Sequence, residues 1–126
     1  MTTRIINTVD SAAPGTVVNY TLEVGNIFNT GMPFYAFVYV SFGTTIFTGA
    51  DLNMEKGFSL LGGASETSSS SFVMQSQFAY IYAYVYYLDE FGSWIPYEAN
   101  AWLVMPAQQP IPAAQFFDLQ GTYSKL

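Results

Sequence analysis

Residues 16–24, TVVNYTLEV, alternate: Val18, Tyr20, Leu22 and Val24 fall on one side, Val17, Asn19, Thr21 and Glu23 on the other. A period of two with one apolar and one wet side predicts a half-buried antiparallel strand. Residues 34–42, FYAFVYVSF, alternate with both sides apolar: Phe34, Ala36, Val38, Val40 and Phe42 against Tyr35, Phe37, Tyr39 and Ser41. In FAYIYAYVYYL (78–88), tyrosine takes every even position from Tyr80 to Tyr86, and Tyr87 and Leu88 interrupt the pattern. Asp89-Glu90-Phe91-Gly92-Ser93 reads as a hairpin loop joining this strand to 94–105, WIPYEANAWLVM. Pro96 cannot donate to a ladder, so that strand starts at an edge or a bulge.

The remaining segments complete an all-β pattern. Arg4–Val9 is a first strand, and Pro14-Gly15 a turn. GNIFNTGMP (25–33) is a loop, Thr44–Thr48 a short strand, GADLNMEKG (49–57) a loop, and FSLLGG (58–63) a short apolar segment ending in a glycine turn. SETSSSS (65–71) continues through Phe72-Val73-Met74 as a strand, because Ser and Thr suit a solvated sheet face. The domain is expected to span 1–105, followed by a Pro/Gln linker (106–112) and a tail (113–126) that forms either a short helix stopped by Gly121 or an extended arm.

Composition narrows the function. Charged residues are 10% of the 126-residue chain, with nine acids, three bases and a net charge of −6. Arg4, Lys56 and Lys125 are scattered, so no basic patch is available to phosphates, and neither nucleic-acid nor anionic-membrane binding is expected. No apolar run reaches the about 20 residues of a membrane-spanning helix, and MTTRIINTVDSAAPG lacks a signal-peptide core, so a soluble protein is expected. Aromatics make up 18% of the chain, and a protein with so few charges must cover part of its surface with Tyr, Ser, Thr, Asn and Gln instead.

Catalytic chemistry finds little support. There is no His or Cys, which removes the usual general base, zinc-thiolate sites and disulfides. Asp89, Glu90 and Glu98 are the candidates for a glycosidase-type carboxylate pair, and solvated loop acids explain them better. Asp51-x-Asn53-x-Glu55 imitates the start of a calcium loop, but Lys56 stands where glycine is needed and Gly62 where glutamate is needed. Asn19-Tyr20-Thr21 is a formal glycosylation sequon inside a strand and is treated as chance. No catalytic residue, metal site or cofactor is assigned.

The order of features nevertheless resembles a known group. Pro14-Gly15 before an alternating strand, Asn26 and Gly31 after it, the aromatic-aliphatic strand, Gly62-Gly63 with Ser65-Glu66, the Ser/Thr strand and the Tyr/Ala strand ending at Asp89 follow in series. Over residues 4–105 this resembles the cell-adhesion-related domains of bacterial and archaeal surface proteins, although the proline often found before the Ser-Glu turn is missing. The resemblance implies an immunoglobulin-like antiparallel β-sandwich of about seven strands. By composition alone the chain also resembles small archaeal-virus proteins, which would place it in a virion or a host cytoplasm.

In such a sandwich, 16–24, 65–74 and the first strand share one sheet, and 34–42, 78–88 and 94–105 share the other. The outer face of the first offers Asn19, Thr21, Glu23, Thr67, Ser69 and Ser71. In the second, Ala36, Val38, Val40, Ile81, Ala83, Val85, Ala99, Ala101 and Leu103 are expected inside. Tyr35, Phe37, Tyr39, Tyr80, Tyr82, Tyr84, Tyr86, Trp94 and Trp102 are then expected outside. Four in-phase tyrosine hydroxyls would all need buried partners if the phase were reversed, which favours aromatics outward. Two alternatives stay open: the reversed phase, and cover by Phe116, Phe117, Leu119 and Tyr123 of the tail. An outward patch marks an interaction site, so the expected role is a non-catalytic assembly or interaction protein binding itself or another protein. The alternative is a glycan-binding module built on Trp94, Trp102 and the hairpin acids.

Overall fold

The computed structural model describes residues 2–43 and 51–107; the expected strand at Thr44–Thr48 and the tail from 108 onward lie outside them. Eight strands run in chain order: β1 (Thr3–Ile6), β2 (Ser11–Ala12), β3 (Val17–Gly25), β4 (Met32–Phe42), β5 (Asp51–Leu60), β6 (Ser65–Val73), β7 (Ala79–Leu88) and β8 (Trp94–Pro106). They form a three-stranded sheet, β1-β3-β6, and a five-stranded sheet, β2-β8-β7-β4-β5. All pairings are antiparallel except β2 with β8. The division of the five long predicted strands between the sheets is the expected one.

Strict alternation builds the core. Val18, Tyr20, Leu22 and Val24 of β3 face Phe34, Ala36, Val38 and Val40 of β4 and Ala79, Ile81, Ala83 and Val85 of β7, all nearly or fully shielded from solvent. Burying one Ile or Phe side chain in this way contributes roughly 1.5–3 kcal/mol. The phase of β7 therefore has aliphatics in and tyrosines out. Tyr87 does not break it: it pairs with Phe34 on the inward side, and its ring packs 4.9 Å from Phe28 and 6.1 Å from Tyr97.

Four features differ from the sequence expectation, each for a physical reason. The first strand ends at Ile6 because Asn7 adopts a left-handed φ of 55°, and the chain then crosses to the other sheet as β2. The expected loop at 49–57 and the short segment after it are largely one edge strand, β5, in which Met54, Phe58 and Leu60 supply the apolar side. A bulge between Val38 and Tyr39 leaves Asn53 without a partner on β4. It instead accepts from the Tyr20 hydroxyl and donates to Ser71 O at 3.0 Å, tying the two sheets together.

The fourth is the phase of β8. A bulge between Val85 and Tyr86 pairs Tyr86 with Pro96 and Val85 with Glu98, so Tyr97 is the extra residue. One extra residue exchanges the faces of everything beyond it. Trp94 stays outward, but Ala99, Ala101 and Leu103 also point outward, opposite Tyr84, Tyr82 and Tyr80. Trp102 pairs with Ile81 and packs against the core, its indole Nε1 donating to Val9 O at 3.0 Å.

Buried polar groups close the ends. Asn26 is 3% exposed; its amide donates to the carbonyls of Thr30, Leu60 and Leu61 at 3.0, 3.0 and 3.2 Å, and its Oδ1 accepts from Phe28 N at 2.8 Å. This joins the loop after β3 to the turn after β5. A Cβ on Gly62 would lie 2.7 Å from the backbone of Asn29, so the close approach requires glycine. On the β1 side, Thr2 Oγ1 donates to Glu98 Oε1 at 2.6 Å and Asn100 Nδ2 to Thr3 O at 2.7 Å. Burial works against ionisation of Glu98, but hydrogen bonds from Thr2 and Thr3 outweigh it and hold the carboxyl below the usual value.

Candidate functional site

Eight of the nine aromatic residues predicted for an outward surface share the outer face of the five-stranded sheet. Tyr35, Phe37 and Tyr39 come from β4, Tyr80, Tyr82, Tyr84 and Tyr86 from β7, and Trp94 from the start of β8. Trp102 is the exception, because the Tyr97 bulge turns it inward. Register forms rows across the face: Tyr39 beside Tyr82, Phe37 beside Tyr84, Tyr35 beside Tyr86. The tyrosine rings and Phe37 are partly buried, whereas Trp94 is exposed.

The rings touch along and across strands. Tyr35 and Phe37 have centroids 4.9 Å apart, and Phe37 and Tyr39 6.5 Å. Across the strands, Phe37 meets Tyr86 edge-on at 6.1 Å and 82°, and Tyr39 meets Tyr84 at 6.2 Å and 69°. Tyr80 stacks with Tyr82 at 5.8 Å, and Tyr35 meets Trp94 at 5.9 Å and 75°. These edge-to-face and offset geometries are the favourable ones for aromatic pairs.

Flanking strands supply members that the sequence pattern did not reveal. On the β5 side, Leu52 lies beside Tyr39 and is 48% exposed, Glu55 lies beside Phe37, and Gly57 lies beside Tyr35. The Tyr35 ring covers Gly57, where a Cβ would sit 3.3 Å from the ring. Tyr35 Oη donates to Glu55 Oε2 at 2.9 Å. On the β8 side, Ala99 and Ala101 make a low step beside the tyrosines. The spacing of Met54, Phe58 and Leu60 was the available signal for β5; the β8 step depended on a bulge that no local pattern marks.

The electrostatics of the face follow from the crowding. Desolvation among neighbouring rings pushes the Tyr82 and Tyr84 hydroxyls above the ordinary phenol value, and adjacent tyrosines add a smaller push in the same direction. Tyr35 is raised as well, first through its hydrogen bond to Glu55, then through desolvation and the Glu55 charge. The two described bases lie elsewhere: Arg4 pairs with Glu23, and Lys56 with Glu66 at 2.8 Å. At the Trp94 end, Tyr35, Phe37, Tyr86 and Trp94 line a depression of about 320 Å³.

The other candidates do not assemble into sites. The Asp89 carboxylate accepts from Phe91 N and Ser93 N at 2.9 and 2.8 Å and so shapes its own turn, whereas Glu98 is bound to β1. Asp51, Asn53 and Glu55 lie on an edge strand, not in a loop. No group of three or more acids that could hold a metal occurs among the described residues. No helix of the described residues is long and apolar enough to cross a membrane.

No protein-family model matches this chain, and no curated protein matches it. Solved structures do. A CARDB domain from Pyrococcus furiosus, solved in complex with di-metal ions, aligns with TM-score 0.61 and 16% identity over 83% of this chain and 89% of that one. The ASH / PapD-like domain of human CEP192 aligns with TM-score 0.56 and 13% identity over 86% and 87%. A β-glucosidase from Listeria innocua aligns with TM-score 0.58 and 10% identity, over 86% of this chain but 16% of the enzyme. At these identities the likeness concerns the fold: the chain is an all-β, immunoglobulin-like sandwich. Such a fold hosts many functions, so the site must carry the functional argument.

Proposed function

We propose that this chain is a non-catalytic interaction module that associates with itself through the outer aromatic face of its five-stranded sheet. The observation that carries the reading is contiguity: eight aromatic side chains from three strands form one ring-on-ring surface. The outer face of the other sheet carries Asn19, Thr21, Glu23, Thr67, Ser69 and Ser71 instead. Tyr and Trp combine an apolar body with a polar tip and concentrate at interfaces, and contiguous apolar patches beyond a few hundred Å² are rare on monomers. The glycan reading loses its two-tryptophan platform, because Trp102 faces the core while Trp94 faces out.

Light scattering at micromolar concentration tests the proposal. The wild type is expected to have a mass above that of one chain, and Tyr82→Ser with Tyr84→Ser to return it to one. A wild type that is a monomer throughout, with the double variant unchanged in mass and solubility, would sink the reading.

A further inference from the structure

We infer that the depression at the Trp94 end of the aromatic face binds a quaternary ammonium group carried by a small molecule. The inference rests on the reading of this face as a contact surface and names the chemistry that one end of it recognises. Four rings from three strands line the depression: Tyr35 and Phe37 of β4, Tyr86 of β7 and Trp94 of β8. They form two near-perpendicular pairs, Tyr35 against Trp94 at 75° and Phe37 against Tyr86 at 82°. A cation close to the faces of several rings is held by their quadrupoles, the principle of aromatic cages for methylated ammonium groups. The volume of about 320 Å³ suits a small molecule.

Charge complementarity points the same way. Glu55 lies beside Phe37 in register and accepts from the Tyr35 hydroxyl, so it adjoins two of the four lining residues. The chain carries −6 overall, and the described bases Arg4 and Lys56 pair with Glu23 and Glu66 away from this face. The lining is mostly ring carbon. A primary ammonium would lose water there without gaining three acceptors, whereas a quaternary ammonium has no N–H to satisfy. Trp94, 47% exposed, is the most open of the four walls.

Choline is the probe, and 3,3-dimethylbutan-1-ol, its neutral carbon isostere, is the control. Calorimetric titration of the full chain at constant ionic strength is expected to show choline binding at least about tenfold tighter than the isostere, the range of a partly desolvated cation–π contact. Trp94→Leu, which keeps the depression apolar and lies at an exposed strand end, is expected to abolish that preference. Glu55→Gln is expected to weaken choline about threefold and leave the isostere unchanged. Equal affinity for choline and isostere, or no saturable choline binding by a folded wild type, would overturn the inference. Light scattering in the same samples separates the two readings. A self-associated protein that ignores choline overturns this inference alone; a choline-binding monomer overturns self-association alone.

Discussion

The two outer faces of this sandwich are built by the same alternation and have opposite characters. On the three-stranded sheet, outward positions carry hydroxyls and one cross-strand ion pair: Thr21 meets Ser69 at 2.9 Å, and Arg4 meets Glu23. On the five-stranded sheet they carry aromatic rings in register. Folding needs an apolar layer between the sheets, and both sheets contribute to it. The outward tyrosines and Phe37 are therefore surplus to the core, which is why they belong to an argument about function.

The largest test of this contrast uses neighbours on one strand. Ile81 is fully buried, while Tyr82 lies on the outer face. Ile81→Ala is expected to cost about 2–5 kcal/mol in denaturant unfolding, and Tyr82→Ala less than about 1 kcal/mol. Comparable losses at the two positions would mean that the outer rings are structural, and would remove the reason for assigning them to a partner.

Next comes Tyr20, the fully buried tyrosine of β3. Its hydroxyl donates to Asn53, and desolvation, partly offset by a hydrogen bond with Ser70, pushes its pKa up to about 12. Tyr20→Phe keeps the ring and leaves Asn53 Oδ1 without this donor, an expected cost of about 1–2 kcal/mol. The pH dependence has a definite sign. A phenol raised from 10.0 to about 12 on folding contributes stability that is fully present below pH 10 and is lost as pH rises toward 12. Unfolding measured between pH 9 and 12, a range set by that shift, is expected to show a shallower decline in Tyr20→Phe than in the wild type.

These positions also show how much could be read in the sequence. The inward set of β3, β4 and β7 was legible because nothing interrupts its alternation. The aromatic phase was legible for the same reason, except where bulges intervene. Plain alternation puts Trp102 and Ala99-Ala101-Leu103 on the wrong faces because the extra residue Tyr97 resets the phase, and a bulge is a property of two strands together. β5 was hidden by its own solubility: Asp51, Glu55, Lys56 and Gly57 read as a loop, yet charge and glycine are what an edge strand tolerates. Tyr87 was legible only with Phe28 and Tyr97 in place, since it is an inward residue at the end of the core.

A smaller effect follows from Glu98, the acid on the inward side of β8. Its folded pKa lies below the ordinary 4.5, through Thr2 and Thr3 hydrogen bonds that outweigh the effect of burial. A depressed carboxylate contributes stability that is present above the unfolded value and is lost as pH falls through the folded one. Wild type is expected to lose more stability than Glu98→Gln when pH drops below 4.5. The difference should not exceed about 1 kcal/mol, because solvent screens the group. Equal acid sensitivity would assign the β1–β8 junction to Asn100 and the backbone alone.

The smallest expected effect belongs to the wet face itself. Arg4 and Glu23 face each other across β1 and β3 with the Arg4 side chain 55% exposed. An exposed pair of this kind contributes about 0.2–1 kcal/mol and is screened by salt. Arg4→Ala is therefore expected to shift stability by less than about 1 kcal/mol at low ionic strength and by less still in 1 M salt. It is also expected to leave the light-scattering mass untouched, since Arg4 lies on the sheet opposite the aromatic surface. A change in assembly from this substitution would move the contact surface to the hydroxyl-rich sheet and reverse the contrast between the two faces.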